Sequence, residues 1–256
     1  MRYEIRAMSF GEILDTGFRL VRDRFVLLVG LSAVMYMPLA LMSTYLKVHP
    51  AALQSPGGVA VGMTFGLMGL AILVLSPIVT TAITLAVGET YLGRQASFGG
   101  SLRTGLSMMM PLVGTSLLFT LGILIGFLLL VIPGIYLFLA WLLTWQVAVL
   151  ERRFGFNAMR RSRELMRGNL LRGFGILFVG ALIAGVLSGV LQLALNYIPV
   201  VGPIASGFAQ AVAGAYTSTV AVLLYFDIRC RKEALDVEHL ANLVQAAETG
   251  APAPVF

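Results

Sequence analysis

Three long stretches of this 256-residue chain carry no charged side chain: Lys, Arg, Asp and Glu are absent between Lys47 and Glu89, between Arg103 and Glu151, and between Arg172 and Asp227. About 20 apolar residues cross the hydrocarbon core of a bilayer, so each stretch is long enough to cross twice. Only 12% of all residues are charged and mean hydropathy is +0.90, whereas soluble domains carry about 25% charged residues. Such a chain lacks the polar surface that water requires. The expected fold is all-α, a polytopic membrane bundle.

Six spans fit the pattern, at residues 25–45, 60–87, 107–132, 135–150, 174–197 and 204–226. The links within pairs are short and nearly uncharged: "LKVHPAALQSPGG", Pro133–Gly134 and "PVVGP". Proline and glycine there favour chain reversal, which predicts three hairpins. Of the 18 Lys and Arg residues, all but Lys47 lie before the first span, between spans 2 and 3, between spans 4 and 5, or after the last. The positive-inside rule then places both termini in the cytoplasm. The second span, at about 28 residues and 1.5 Å each, exceeds a core of roughly 30 Å, and Pro77 is the expected kink. The chain divides into an amphipathic segment at 1–24, the six-span domain at 25–226 and a tail at 227–256. In the tail, Asp236 is read as capping a short helix with Leu240, Leu243, Val244 and Ala247 on one face. The first 24 residues are too charged for a signal-peptide n-region, so no cleaved leader is expected.

A short repeat recurs in the charged segments. Phe10/Thr16, Phe98/Thr104 and Phe156/Ser162 share one spacing, Gly17 matches Gly105, and Leu20, Met108 and Met166 each follow their Phe by ten positions. The repeated unit is read as a cytoplasmic amphipathic elbow helix followed by a membrane hairpin, occurring three times.

The third segment, "ERRFGFNAMRRSRELMRGNLLR" at 151–172, holds seven arginines and no lysine. At 100° per residue, Met159, Ser162, Leu165, Met166, Asn169 and Leu170 share one side of a helix, and Arg160, Arg161, Arg163, Glu164, Arg167 and Arg172 the other. That pattern suits a helix lying in the interface with guanidiniums among lipid phosphates, each worth about 1 kcal/mol near an anionic surface. Arg160, Arg161, Arg163, Arg167 and Arg172 are therefore the candidate contacts for headgroups or a partner protein. Nucleic acid is disfavoured, because no aromatic residues interleave the arginines to stack on bases.

Other signals are sparser. Gly58/Gly62/Gly66, Gly122/Gly126 and Gly185/Gly189 are small-xxx-small pairs, read as packing within the bundle rather than dimerisation. No acidic or basic residue falls inside the spans, which argues against an ion-coupled transporter. Gln192, Asn196 and Gln210 are the strongest polar groups there and could line a path, although hydrogen bonds between helices are the plainer use. The two histidines, His49 and His239, lie on opposite sides, and the single cysteine, Cys230, has no histidine beside it in sequence. With no nucleophile, phosphate-loop or zinc motif either, no enzyme, cofactor or metal is expected.

The strings "SFGEILDTGFRLVRDRF", "VIPGIYLFLAW", "NAMRRSRELMRGNLLRGFG" and "LYFDIRCRKEALDVEHLA", in that order, resemble the bacterial glycerophosphoryl diester phosphodiesterase membrane-domain family. The resemblance runs from about residue 9 to 242 and implies a six-span inner-membrane protein. The phosphodiesterase barrel that some members carry is not expected here, and no catalytic residue is transferred. The leading expectation is a non-enzymatic inner-membrane protein acting through contact with lipids, mainly anionic, or assembly with membrane partners, including its own copies. A transporter or pore for a small or amphiphilic solute is the alternative.

Overall fold

The computed structural model describes residues 6–49, 58–92, 95–195, 197–198 and 200–235. Among these every regular element is helical: α1 (Phe10–Asp23), α2 (Phe25–Val48), α3 (Gly58–Tyr91), α4 (Phe98–Ser107), α5 (Met109–Leu129), α6 (Val131–Ala140), α7 (Thr144–Leu150), α8 (Phe156–Met166), α9 (Leu170–Leu195) and α10 (Val201–Glu233). Five helical stretches are long and apolar enough to cross a membrane, with α6 and α7 together forming one of them. α3 makes a sixth, bent by 40° between Gly62–Leu70 and Leu75–Tyr91. The bend lies one turn ahead of Pro77, where the ring removes a backbone hydrogen bond. The tail helix expected around Asp236 to Ala247 lies outside the described residues, as does His239.

The repeat has a structural counterpart. Phe10, Phe98 and Phe156 each open a short helix. The third position after each Phe (Ile13, Ser101, Met159) and the tenth (Leu20, Met108, Met166) are buried every time. These positions point inward because they lie within about 20° of a common face at 100° per residue. The contacts also follow a cycle. Phe98 packs on Gly30 of α2, Phe10 on Gly175 of α9, and Gly155, just before α8, on Leu118 of α5. Each short helix thus abuts the apolar helix that follows another of the three.

The long helices differ in burial. In α10, 67% of the apolar window is buried, against 17% in α5 and in α9. α3 packs on both α7 and α10, and Ala86, Val147, Ala148, Leu223 and Leu224 are fully enclosed there. α10 fits this inner position because its buried residues in the outer half are small: Gly207 lies directly against Ala40 of α2, and Gly214 sits beneath Ser32 and Tyr36. Small side chains let helix axes approach closely where oil-like surroundings supply no drive to associate.

Two local expectations are corrected. The reversal expected at Pro133–Gly134 occurs earlier, at Leu130, whose backbone is extended. Pro133 instead occupies the first turn of α6, where a missing N–H costs nothing. Gly134 is held against Phe127 of α5, and a Cβ there would come within 2.6 Å of the ring. The fourth span is also not one helix. It breaks at Trp141–Leu143, and Ser162 of α8 repairs the break: its Oγ donates to the Ala140 carbonyl at 3.0 Å and accepts from the Leu143 N–H at 3.1 Å. Irregular backbone at membrane depth persists only where neighbours satisfy it. Of the glycine pairs, Gly122 and Gly126 pack on α6 as expected, whereas Gly62, Gly66, Gly185 and Gly189 meet nothing.

α1 begins with a capping box: the Glu12 N–H donates to the Ser9 hydroxyl and the Ser9 N–H donates to the Glu12 carboxylate at 2.6 Å. The Arg6 guanidinium donates to the same carboxylate at 2.7 Å. Together the Arg6 and Ser9 hydrogen bonds lower the Glu12 pKa from 4.5 to about 2.

Two outcomes follow from these contacts. Ser162→Ala should lower stability by about 1–3 kcal/mol, the cost of leaving two buried backbone groups without partners, read as the thermal midpoint in detergent. For Glu12 the folded pKa lies below the unfolded value, so its capping contribution is complete above about 4.5 and is lost as pH falls toward 2. Amide protection factors in the first turn of α1 should fall over that range, and Glu12→Gln should remove that fall.

Candidate functional site at the charged end of the bundle

α8 is amphipathic as its sequence implies. Ala158, Met159, Ser162, Leu165 and Met166 are buried, and the surface they cover is protein, since α8 packs on α5, α6, α7 and α10. Its apolar face is therefore taken up by the bundle and not by lipid. The helix also ends sooner than the arginine pattern suggests. Gly168, at φ 84, turns the chain after Met166, a conformation that a side chain would strain. Arg172 consequently belongs to the first turn of α9 and points inward.

This division separates the five candidate arginines into two groups. Arg160, Arg163 and Arg167 are exposed. Arg161 and Arg172 are only 17% and 27% exposed and are held in ion clusters. In the first cluster, Arg161 bridges Glu151 at 2.9 Å and Glu233 at 2.6 Å. Arg229 donates to Glu233 at 2.9 Å and to the Tyr225 hydroxyl at 3.2 Å, and that hydroxyl donates to Glu151 at 3.1 Å. Burial works against the charge of Arg161, but its hydrogen bonds to the Glu151 and Glu233 carboxylates, with their negative charge, outweigh it and raise its pKa.

The second cluster centres on Asp227, which is fully buried. Its carboxylate accepts from Arg172 at 3.0 Å, from Arg231 at 3.0 Å and from the Met8 N–H at 2.8 Å. Both arginines also donate to the Met8 carbonyl, each at 2.7 Å. Four groups from three parts of the chain thus satisfy one another: Met8 ahead of α1, Arg172 on α9, and Asp227 with Arg231 on α10. Sequence inspection passes over this node because Asp227 stands just beyond an apolar run and reads as a boundary charge. Its one available signal is the spacing Asp227/Arg231, a helical ion pair.

Adjoining the first cluster, a polar cleft of about 360 Å³ opens between Arg153, Asn157, Arg160, Arg161 and Glu164. Arg160 pairs with Glu164 at 3.2 Å while remaining 83% exposed. Beside it, Lys232 donates to the Glu164 carbonyl at 2.7 Å. The cleft presents the exposed guanidiniums of Arg153, which pairs with Glu151 at 3.3 Å, and of Arg160, both with further donors for a phosphate, whereas Arg161 is held by Glu151 and Glu233. Among the described residues, no group of three or more His, Cys, Asp or Glu is placed to hold a metal ion.

The expected polar path is not assembled. Gln192 and Gln210 are both exposed on the outside of the bundle, and Asn196 lies outside the described residues. The reason is the small-residue face of α10: Gly207, Ala211 and Ala215 take the inward side, which turns Gln210 outward. The polar atoms that are buried lie elsewhere. Thr81 and Thr84 of α3, Ser101 of α4 and Gln146 of α7 each enclose an oxygen with no hydrogen-bond partner.

A family model described as "Domain of unknown function (DUF8558)" matches residues 101–228, half of the chain. The chain belongs to this family. No curated protein and no solved structure matches it. The matched region holds Glu151, Arg161, Arg172 and Asp227 and the cleft arginines, whereas Met8, Arg229, Arg231 and Glu233 fall outside it.

Removing one partner from a buried ion cluster costs about 3–5 kcal/mol because the other charges stay buried. Asp227→Ala should therefore lower the thermal midpoint sharply and open the segment around Met8 to proteases. Arg160→Ala, at an exposed position, should change stability by no more than about 0.5 kcal/mol.

Proposed function

We propose that this protein is a non-enzymatic, multi-pass protein of the bacterial inner membrane that holds anionic lipid headgroups at its arginine-rich end. That end faces the cytoplasm, both termini lie on the same side, and the bundle is three membrane hairpins, each led by an amphipathic elbow helix. The resemblance to the glycerophosphoryl diester phosphodiesterase membrane-domain family fits this topology. The cycle of contacts made by Phe10, Phe98 and Gly155 supports the threefold reading.

One observation carries the functional part. Arg160, Arg163 and Arg167 remain exposed on a helix whose opposite face is fixed in the bundle, beside a cleft already lined by arginine. A basic surface rigidly attached to a membrane protein favours anionic headgroups by about 1 kcal/mol per residue. Assembly with an acidic face of a membrane partner would use the same side chains.

Transport of a small or amphiphilic solute is a second reading, favoured by the unpartnered oxygens of Thr81, Thr84 and Gln146 in the inner helices α3 and α7. Buried polar atoms normally find protein or water partners. Against it stands the close packing of Ala86, Val147, Ala148, Leu223 and Leu224 in the same region.

The test compares the wild type with the triple variant Arg160→Ala, Arg163→Ala, Arg167→Ala. In detergent mixed with phosphatidylglycerol and phosphatidylcholine, the triple variant should lose about 3 kcal/mol of preference for the anionic lipid at low salt, roughly a hundredfold in enrichment. Salt should erase the difference, and the thermal midpoint should not move. Equal anionic enrichment in both proteins sinks the headgroup reading.

A further inference from the structure

A second concavity, sharing no residue with the arginine cleft, has different chemistry. It is an apolar groove of about 850 Å³ bounded by α1, α9 and α10, within the range of roughly 300–1,000 Å³ typical of ligand sites. Leu14 and Phe18 of α1 roof it, Leu187 and Leu191 of α9 form one wall, and Val212 and Tyr216 of α10 form the other. The α9 side is a single stripe from Ile183 to Ala194, about 16 Å long at 1.5 Å per residue. The α1 side of the lining carries two charged residues, Asp15 and Arg22.

The lining selects the occupant. Apart from Asp15, Arg22, Ser188 and the Tyr216 hydroxyl, its side chains are apolar, which suits hydrocarbon. Charge supports the same choice. Asp15 is taken by Arg19 at 2.8 Å, whereas Arg22 reaches Asp23 at only 3.7 Å and is 69% exposed, so its guanidinium has donors to spare at the groove mouth. The roof is also fixed in place: Gly17 packs on Val220 and Tyr216 of α10, and the segment before α1 is tied to Asp227. A three-sided, pinned slot differs from the open outer faces of α5 and α9, where lipids only pass.

We propose that this groove is a binding site for one membrane phospholipid, its acyl chains lying between α9 and α10 beneath α1 and its phosphate on Arg22. The site is separate from the arginine cleft and does not depend on it.

The experiment counts lipids on the purified full chain by native mass spectrometry after incubation with phosphatidylglycerol. Wild type retains one lipid that survives high salt. Ser188→Trp and Ala213→Trp, which place a ring inside the groove, lower its occupancy by about tenfold or more. Leu193→Trp, on the exposed side of α9 and outside the lining, leaves it unchanged. Arg22→Gln weakens it several-fold, and the Arg160, Arg163, Arg167 triple variant retains it. Full retention in folded groove-filling variants overturns the proposal, as does a dimer of this chain that Ser188→Trp dissociates without loss of lipid. Should those variants misfold, phosphatidylglycerol with a photoreactive acyl chain is used on wild type. Labelling concentrated in residues 183–194 and 208–216 supports the site, and labelling spread evenly over the outer faces of α5 and α9 overturns it.

Discussion

A single buried carboxylate organises the charged end of this molecule. Asp227 sits in a region that would otherwise be oil, and a charge there is tolerable only if its oxygens are saturated by donors. Arg172, Arg231 and the Met8 backbone do so. Because the partners come from opposite ends of the chain, satisfying one charge also joins the segment before α1 to α9 and α10. That junction sets α1 across the bundle. The same tether, together with the packing of Gly17 on Val220 and Tyr216, holds the roof of the open groove beneath α1.

A second constraint is the scarcity of water at depth. Every interrupted helix must find replacement partners for its freed backbone groups, and Ser162 supplies them at the break between α6 and α7. Its position in the repeat is the one held by Thr16 and Thr104 in the other two units. The same sequence slot therefore does different work in different surroundings. Thr104 bonds the Gly100 carbonyl one turn back in its own helix, the ordinary use of a helical hydroxyl.

The arginine segment shows why charge pattern alone misreads function. Seven arginines in 22 residues look like one basic surface, yet Arg161 and Arg172 are consumed by Glu151, Glu233 and Asp227. Glu233 and Asp227 lie 72 and 55 residues from the arginines they hold, so nothing in the local string announces them, and Glu151, ten residues from Arg161, lies ahead of the helix that carries it. The same holds for Gln192 and Gln210. Their polarity suggested an inward path, but the side of a helix that faces the core is decided by which neighbour it meets. On α10 the glycine and alanine side met α2, and the glutamine went outward.

The sequence alone determined the helical class and the positions of the long apolar elements, because hydrophobic length is a one-dimensional property. It also determined the repeated Phe-led helices and the amphipathic division of α8, since a 3.6-residue period can be read directly from the string. Only the tertiary structure decided the break in the fourth span, the shift of the reversal to Leu130, the Asp227 node and the groove under α1. Each of these depends on contacts between residues far apart in the chain, and no local pattern encodes which distant surface a helix will meet.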